Sequence, residues 1–266
     1  MAADAKAAPS ALAQAPNQEP IFVFGADLGG RHDQHSAAFA ARVHGAEAGK
    51  ASGASGNVYA IPYRNTARDV LPLNIIANYV APFAQHAREL PQRRFHIARF
   101  GCETGAHDDV SMARVFARLP DNCQLPGLWQ RALQAKLPAR LLLFDPSGCL
   151  IDARWRERLR RYLALNLPLW NAPAVELVSV GSARAIVAND GVAKSLGLKH
   201  RVFGTNDAYY GREAPSAAEM KAVWYATHFL AICDFSCTAA PQQIRLTGTA
   251  TRGGLAIDQI DVDEEG

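Results

Sequence analysis

The sequence predicts an α/β protein built from two successive units, each with a mostly parallel sheet covered by helices. Short runs of β-favouring apolar residues, such as residues 21–24 and Val175–Val180, end in glycine-containing loops, and segments with helical spacing of apolar residues follow them. This alternation recurs along the chain after residue 20. The length of 266 residues is enough for two modest domains, each with its own core.

The order of these segments divides the chain into five predicted parts. Residues 1–20 are rich in alanine and proline and lack a long apolar run, so we expect a flexible arm that orders only against a partner. The first α/β unit is predicted over residues 21–126 and the second over residues 140–262. A Leu-Pro-Gly segment at residues 125–127 opens a predicted linker over 127–139, in which a short helix is expected around residues 129–137. Residues 263–266 form a predicted acidic tail.

Local signals set the ends of the elements in the first unit. Gly45 can cap a first helix, Pro62 stops the second strand, and Asp108 or Asp109 is the predicted N-cap of a third helix. Strands are expected at residues 21–24, 58–62 and 95–100, and helices at residues 34–43, 73–87 and 108–119.

The second unit repeats the alternation, which is typical of an open, mostly parallel, Rossmann-like sheet. Its strands are expected at residues 140–145, 175–180, 199–203, 228–233 and 256–262. Its helices are expected at residues 151–165, 185–196, 216–227 and 241–247.

Composition and charge exclude several classes of function. A net charge of +3 and a pI near 8.6 give too small a basic excess to predict nucleic-acid binding. Five scattered cysteines argue against a disulfide framework and for a reducing, cytoplasmic compartment. No run approaches the roughly 18 apolar residues of a membrane span, and Cys233 and Cys237 lack the second pair that a zinc site needs. We therefore expect no membrane contact, metal or cofactor.

The loop after the first strand carries the first candidate binding residues. Backbone N–H groups beside a helix N-terminus attract anions, so this loop predicts a site for a phosphate-bearing small molecule. The loop matches neither G-x-G-x-x-G nor G-x-x-x-x-G-K-[ST], so the prediction depends on its composition and position. The candidate ligand-binding residues are Gly25, Ala26, Asp27, Gly29, Gly30, Arg31 and His32.

A second glycine-bounded loop follows the strand predicted at residues 95–100. Ligands collect at the carboxyl ends of parallel strands, so we expect both loops to border one cleft. The second loop adds the binding candidates Gly101, Cys102, Thr104 and Gly105, with Glu103 among them.

Three motifs follow one another through residues 21–126: I-F-V-F-G-A-D-L-G-G-R-H, N-V-Y-A-I-P and R-F-G-C-E-T-G-A-H, with a final C-Q-L-P. They resemble the patterns I-F-V-F-G-S-N-L-A-G-R-H, N-x-Y-A-I-P, R-I-G-C-G-L-A-G-[YF] and V-I-L-P of a small phage-associated family. That family in turn resembles macro domains. The resemblance implies a three-layer α/β unit in which two loops grip ADP-ribose or one of its derivatives.

Two departures from the family pattern change the chemistry of the predicted cleft. Asp27 replaces an asparagine, so an amide that donates and accepts becomes a carboxylate that only accepts when ionised. Glu103 replaces a glycine and adds bulk and negative charge at the mouth of the cleft. Such carboxylates would accept a hydrogen bond from a ribose hydroxyl but repel a nearby phosphate. Both a working ADP-ribose site and a pocket that has lost its ligand are therefore compatible with these residues.

The second unit contains G-S-A-R-A-I-V, G-R-E-A-P-S-A-A-E-M and F-L-A-I-C-D in that order. These segments are similar to patterns of the SLOG superfamily, the Rossmann-like domains of the DprA and lysine-decarboxylase-like kind that bind nucleotides. The resemblance implies a second nucleotide site at Gly181, Ser182 and Arg184, where Arg184 would make a bidentate phosphate contact. The family's S-x-G-T helix start reads Ser236-Cys237-Thr238 here, without the glycine.

Several side chains near the first two loops are candidates for catalysis or metal binding. Asp27 and Glu103 are the predicted general acid/base pair for hydrolysis of an ADP-ribosyl bond. Cys102 is either a nucleophile or a small thiol packed at a strand end. Three histidines are either surface residues or acid/base groups and metal ligands near these carboxylates: His32, His35 and His107.

The predicted function is binding of a nucleotide-derived small molecule, such as ADP-ribose, an NAD derivative or a cyclic nucleotide signal, in a phage or mobile-element context. We prefer binding to catalysis. One alternative is a degenerate, non-catalytic structural or assembly protein whose arm, residues 1–20, docks on another copy or on a larger particle. A second alternative is an ADP-ribosyl hydrolase that uses Asp27 and Glu103.

Overall fold

The computed structural model describes residues 19–146, 148–181, 183–233 and 240–261. These residues form two five-stranded, mostly parallel sheets with helices on their faces, which confirms the predicted α/β class. Residues 1–18 of the predicted arm and the acidic tail at 263–266 lie outside the described residues. Across the described ranges, no helix combines the length and apolar content needed to cross a membrane.

The first sheet has the strand order β2-β3-β1-β4-β5. Its strands are β1 (Ile21–Asp27), β2 (Gly53–Ser55), β3 (Val58–Arg64), β4 (Phe95–Ile97) and β5 (Cys123–Gln124). The central strand β1 pairs in parallel with β3 and β4, whereas β2 lies antiparallel on β3. Strand β1 runs three residues beyond the predicted end at Phe24, because Gly25, Ala26 and Asp27 continue the pairing with β3. These three candidate binding residues therefore belong to a strand and not to a loop.

Four helices accompany the first sheet: α1 (His35–His44), α2 (Leu73–Glu89), α3 (Asp109–Val115) and α4 (Gly127–Leu133). The predicted N-cap of α3 is confirmed, because the Asp108 carboxylate accepts a hydrogen bond from the Ser111 N–H at 2.8 Å. Helix α4 occupies most of the segment predicted as a linker. Its Trp129 is fully buried against Phe100 and Phe116, so this segment completes the core of the first unit.

The second sheet has the order β10-β9-β6-β7-β8, and all of its pairings are parallel. Its strands are β6 (Ala139–Phe144), β7 (Val175–Val180), β8 (Lys199–Phe203), β9 (His228–Cys233) and β10 (Ala256–Asp261). The chain starts in the middle of the sheet, winds to one edge and then crosses to the other, which is the doubly wound Rossmann-like arrangement. The strand order reverses between β6 and β9.

The helices of the second unit are α5 (Ala153–Leu169), α6 (Ala183–Ser195), α7 (Asp207–Tyr210), α8 (Ala214–Tyr225) and α9 (Ala240–Arg252). Helices α5 and α6 pack on one face of the second sheet, and α8 and α9 pack on the other. Helix α9 extends five residues past the predicted end at Thr247. That extension brings Arg252 into a cleft between the two units, as shown below.

Helix α8 belongs to both cores. Its Ala214 and Ala217 pack with Phe22 and Phe24 of the first sheet, while its opposite side, including Ala222, packs under the second sheet. Buried apolar residues thus lie on two sides of α8, which matches its packing on both sheets. The two sheets therefore share one helical layer, and the described chain is a five-layer α-β-α-β-α structure.

The N-terminal side of the described chain is also fixed to the second unit. Glu19 accepts hydrogen bonds from Lys221 Nζ at 2.6 Å, from the Asn206 side chain at 2.6 Å and from the Tyr210 hydroxyl at 3.0 Å. Burial would raise the pKa of Glu19, but these donors lower it below its usual value. The last two residues of the predicted arm are thus part of the folded structure.

Candidate functional site

In the first predicted binding loop, Arg31 is hydrogen-bonded to the carboxylate of Asp27. Asp27, at the end of β1, is 7% exposed, and it accepts hydrogen bonds from Arg31 N at 3.1 Å and from Arg31 Nε at 2.9 Å. Burial would raise the pKa of Asp27, yet the hydrogen bonds and charge of Arg31 lower it below the usual value. The ionised Asp27 carboxylate therefore accepts a hydrogen bond from a loop N–H group that was predicted to bind a phosphate.

Two glycines of this loop are required by the packing of the chain. Gly30 has a φ of +66°, and a Cβ atom there would lie 2.5 Å from the carbonyl carbon of Gly49. A Cβ atom on Gly25 would lie 2.5 Å from the ring of Phe100. The remaining space beside the loop is a cavity of about 20 Å³, which holds about one water molecule and is too small for a nucleotide.

The second predicted loop has an arrangement of its own. The Gly101 N–H donates to Glu103 Oε2 at 2.8 Å, and Gly101 has a φ of +83°. Burial, followed by the charge of Asp109, raises the pKa of the Cys102 thiol to about 12, so the thiol is protonated at neutral pH. Thr104 and Gly105 lie exposed on the surface. Cys102 therefore fits the packed-thiol interpretation better than the nucleophile interpretation.

The three candidate histidines have separate surroundings. His32 lies edge-on to Phe24, with ring centroids 5.0 Å apart, and His107 Nε2 lies 2.8 Å from the Leu71 carbonyl oxygen. His35 lines a different cavity, described below. Within the ranges that the structure describes, no cluster of three or more His, Cys, Asp or Glu side chains is arranged to hold a metal ion.

The third predicted site lies at the carboxyl end of β7. Gly181 has a φ of +124° there, but Ser182 and the segment Ser236-Cys237-Thr238 lie outside the described residues, as does the side chain of Arg184. The adjacent carboxyl end of β6 is described. Asp145 is 1% exposed and accepts hydrogen bonds from Cys149 N at 2.9 Å and Leu150 N at 3.0 Å. A buried carboxylate again occupies backbone donors at a place where doubly wound folds bind phosphate.

A serine, a histidine and an aspartate meet under helix α6. His200 Nε2 lies 2.9 Å from Ser179 Oγ, and His200 Nδ1 lies 3.3 Å from Asp190 Oδ1, which is the connectivity of a catalytic triad. Ser179 is fully buried, however, and its oxygen also accepts a hydrogen bond from Asn189. Because no substrate reaches a fully buried hydroxyl, we assign this group to fastening α6 on strands β7 and β8.

A charged cleft lies between the two units. It has a volume of about 320 Å³, within the usual range for small-molecule sites, and we call it the interdomain cavity. Helix α1 and the loop after β4 form one side, and helices α8 and α9 form the other. The lining residues that carry its chemistry are His35, Arg42, Arg99, Glu103, Glu219, Trp224, Arg245 and Arg252.

Arginines outnumber carboxylates on the walls of the interdomain cavity. Three of them have carboxylate partners: Arg42 pairs with Glu213 at 2.6 Å, Arg99 with Asp109 at 2.7 Å and Arg245 with Glu219 at 2.6 Å. Arg252 donates instead to the hydroxyl of Thr249 at 3.3 Å, and no carboxylate of the described chain pairs with it. The cavity therefore presents an unneutralised guanidinium group.

Polar and aromatic groups complete the walls. Glu103 lines the cavity, and its Oε1 atom is buried with no hydrogen-bond partner among the described residues. Trp224 and Phe39 form an edge-to-face pair, with centroids 5.4 Å apart, beside the arginines. His35 adopts a left-handed φ of 47°, and backbone strain at a non-glycine residue is often found at functional sites. The cavity thus combines cationic, hydrogen-bond-accepting and aromatic surfaces.

The structure separates the two carboxylates that the sequence paired. Glu103 lines the interdomain cavity, whereas Asp27 lines the small cavity beside its own loop. Four lining residues were not among the sequence-predicted site residues: Arg42, Trp224, Arg245 and Arg252. One signal was available: Arg245, Thr249 and Arg252 have the helical spacing that places them on one face of α9.

These features define a class of protein: two mostly parallel α/β sheets share a central helical layer and enclose an arginine-lined cavity. A comparison with known proteins found no family model that matches the chain and no curated protein with significant similarity to it. The resemblances to the macro-like phage family and to the SLOG superfamily therefore remain predictions from the motifs.

Proposed function

We propose that this protein binds a nucleotide-derived small molecule, such as ADP-ribose, an NAD derivative or a cyclic nucleotide, in the interdomain cavity. The observation that carries the proposal is the set of arginines from both units around a cavity of about 320 Å³. Arginine is well suited to phosphate because its planar guanidinium donates two parallel hydrogen bonds. This site replaces the predicted cleft at Asp27, where the remaining space is far smaller.

Arg252 is the first group we assign to the phosphate of the ligand. Its guanidinium is partly exposed and has a weak hydroxyl contact, so binding an anion breaks no ion pair. Arg245 lies about two turns away on the same helix face, and its exposed side chain already pairs with the buried Glu219. A phosphate held by Arg252 would gain further attraction from Arg245 and Arg42 across the cavity.

The other walls suit the rest of a nucleotide. Glu103 Oε1 is a buried acceptor without a donor, and a ribose hydroxyl or an exocyclic amine would supply one. Trp224 and Phe39 offer an apolar surface for the base. The separation of acceptor, aromatic and cationic groups matches the three chemical parts of a nucleotide.

The hydrolase alternative receives less support from this arrangement. A general acid/base pair must reach one substrate bond, but Asp27 and Glu103 line different cavities. Asp27 is also held ionised by Arg31, which makes it a poor proton donor. Binding without turnover is therefore the function we propose.

Calorimetric titration of the full chain with ADP-ribose, NAD and cyclic ADP-ribose tests the proposal. We expect at least one of these compounds to bind, and Arg252→Gln to weaken that binding by about tenfold to a hundredfold, because a hydrogen bond to a charged group is lost. Arg160→Gln is the matched control, since Arg160 is an exposed arginine on α5 far from the cavity lining. Absence of binding of all three compounds at millimolar concentration, or equal binding by the Arg252→Gln variant, would overturn it.

The structural or assembly alternative is favoured by a different observation. In two described loops, at the carboxyl ends of β1 and β6, carboxylates of the chain accept hydrogen bonds from backbone N–H groups. These carboxylates are Asp27 and Asp145. Backbone donors that already bind a carboxylate of the chain are not free to bind the phosphate of a nucleotide. Light scattering after size-exclusion chromatography distinguishes the two functions: a defined oligomer without any bound nucleotide supports assembly, and a monomer that binds one of the three compounds supports the proposed function.

A further inference from the structure

Arg64 is a buried cation with unused hydrogen-bonding capacity. It closes strand β3 and is 7% exposed. Its Nη1 atom donates to Gln34 Oε1 at 3.0 Å, but the Nε and Nη2 atoms are buried and have no hydrogen-bond partner in the described chain. Burying a charged group without a partner is strongly unfavourable, so such a group indicates a missing ligand.

The carboxylates near Arg64 are engaged by other arginines. Asp27 pairs with Arg31 at 2.9 Å, and Asp33 pairs with Arg68 at 2.5 Å. All five side chains line the small cavity of about 20 Å³ at the carboxyl ends of β1 and β3. Three guanidinium groups therefore face two carboxylates, and the excess positive charge falls on the buried Arg64.

One face and one edge of the Arg64 guanidinium have different surroundings. The guanidinium carbon lies 5.0 Å from the centroid of the Tyr63 ring, so the aromatic ring covers the group from one side. The unpartnered Nε and Nη2 atoms form the edge of the guanidinium that donates two parallel hydrogen bonds to an oxyanion. Asp33 and Gln34 line the same cavity and are exposed, so the cavity borders the surface of the protein at these residues.

We propose that this cavity binds a single oxyanion group, the edge of a carboxylate or a phosphate, on Nε and Nη2 of Arg64. The space admits one or two oxygen atoms, and the rest of the group would stay at the mouth near Gln34. The site shares no lining residue with the interdomain cavity, although both border helix α1. The two proposed sites can therefore be tested independently of each other.

Titration calorimetry with sodium phosphate and sodium acetate, with sodium chloride at matched ionic strength as the reference, tests the proposal on the full chain. We expect saturable binding of phosphate or acetate, and the stronger of the two identifies the oxyanion. Arg64→Met keeps the length and apolar contacts of the side chain and should weaken binding by about tenfold or more. Arg160→Met is the matched control, because it removes the same charge from an exposed arginine of α5 that does not line this cavity, and it should retain binding.

A second measurement does not depend on the variant folding. In nuclear magnetic resonance spectra of the wild-type protein, the Nε–H signal of Arg64 should shift with the same midpoint as the calorimetric titration. Equal responses to phosphate, acetate and chloride, an unmoved Arg64 signal, or full binding by a folded Arg64→Met variant would each overturn the proposal. Arg252→Gln should leave the shift of the Arg64 signal unchanged, because Arg252 does not line this cavity, and this separates the site from the proposed nucleotide cavity.

Discussion

The carboxylate of Asp27 holds the loop after β1 through hydrogen bonds from Arg31 at 2.9 and 3.1 Å. The spacing of four residues lets the backbone N–H and the guanidinium of one residue reach the same carboxylate. Asp145 does the equivalent work after β6, where it accepts from Cys149 N and Leu150 N. At the scale of single residues, carboxylates of the chain thus hold two loops at the carboxyl ends of strands in place through hydrogen bonds.

Asp27→Asn should make stability less dependent on pH in acid. The pKa of Asp27 is lowered in the folded state, so the stability it contributes is present above its unfolded value of about 3.9 and is lost as the pH falls through the lower, folded value. At neutral pH we expect the variant to lose about 1–3 kcal/mol of unfolding free energy. The difference from wild type should shrink below about pH 4.

Urea denaturation at neutral and acidic pH measures this effect. Asp33→Asn is the control, because Asp33 is also paired with an arginine but is 55% exposed, and surface pairs contribute only about 0–1 kcal/mol. A difference between Asp27→Asn and wild type that stays constant across the acidic range would contradict the prediction.

Helix α8 is the element on which the packing of the two units depends. Its small side chains allow close approach of both sheets, and Ala217 lies 1% exposed against the first of them. Helix α4, from the first unit, also lies close to α8. A Cβ atom on Gly127 of α4 would lie 2.2 Å from the carbonyl oxygen of Tyr225 at the end of α8. The segment predicted as a linker is therefore packed closely at two residues, Gly127 at its start and the fully buried Trp129.

Ala217→Leu should destabilise the protein by about 1–3 kcal/mol, because the added carbon atoms have no free space between α8 and the first sheet. Ala164→Leu places the same change on an exposed position of helix α5 and should leave stability nearly unchanged. Chemical denaturation of both variants compares them directly. Equal stability of the two variants would show that α8 does not pack as tightly as described.

The whole molecule should unfold as one cooperative unit. Each sheet relies on α8 for part of its core, and Glu19 joins the start of the described chain to Lys221 and Asn206 of the second unit. Separating the units would expose to water the side of α8 that packs on the first sheet.

Differential scanning calorimetry of the full chain should therefore show a single transition. Glu19→Gln should lower its midpoint by a few degrees without splitting it, since about 1 kcal/mol shifts the midpoint of a chain of this size by about 2–4 °C. Two resolved transitions in either protein would contradict the shared helical layer.

Much of the architecture was predictable because it depends on local patterns. The strands at Val175–Val180 and Lys199–Phe203 have the predicted bounds, and the Asp108 N-cap is the predicted one. The candidate site was less predictable. Glu103 was identified, but Arg42 and Arg252 were not, because residues more than 200 positions apart face one cavity only through the packing of α1 against α8 and α9.

Alternation of apolar runs, glycines and caps determined that this chain forms two mostly parallel α/β sheets, because side-chain periodicity and turn chemistry act over a few residues. Which surfaces remained open for a ligand was decided only by the tertiary structure. The packing of helix α8 on both sheets and the surroundings of Arg64 and Arg252, which have no carboxylate partner among the described residues, depend on contacts between distant segments. The space at Asp27 is reduced to about 20 Å³, whereas a cavity of about 320 Å³ lies between the two units.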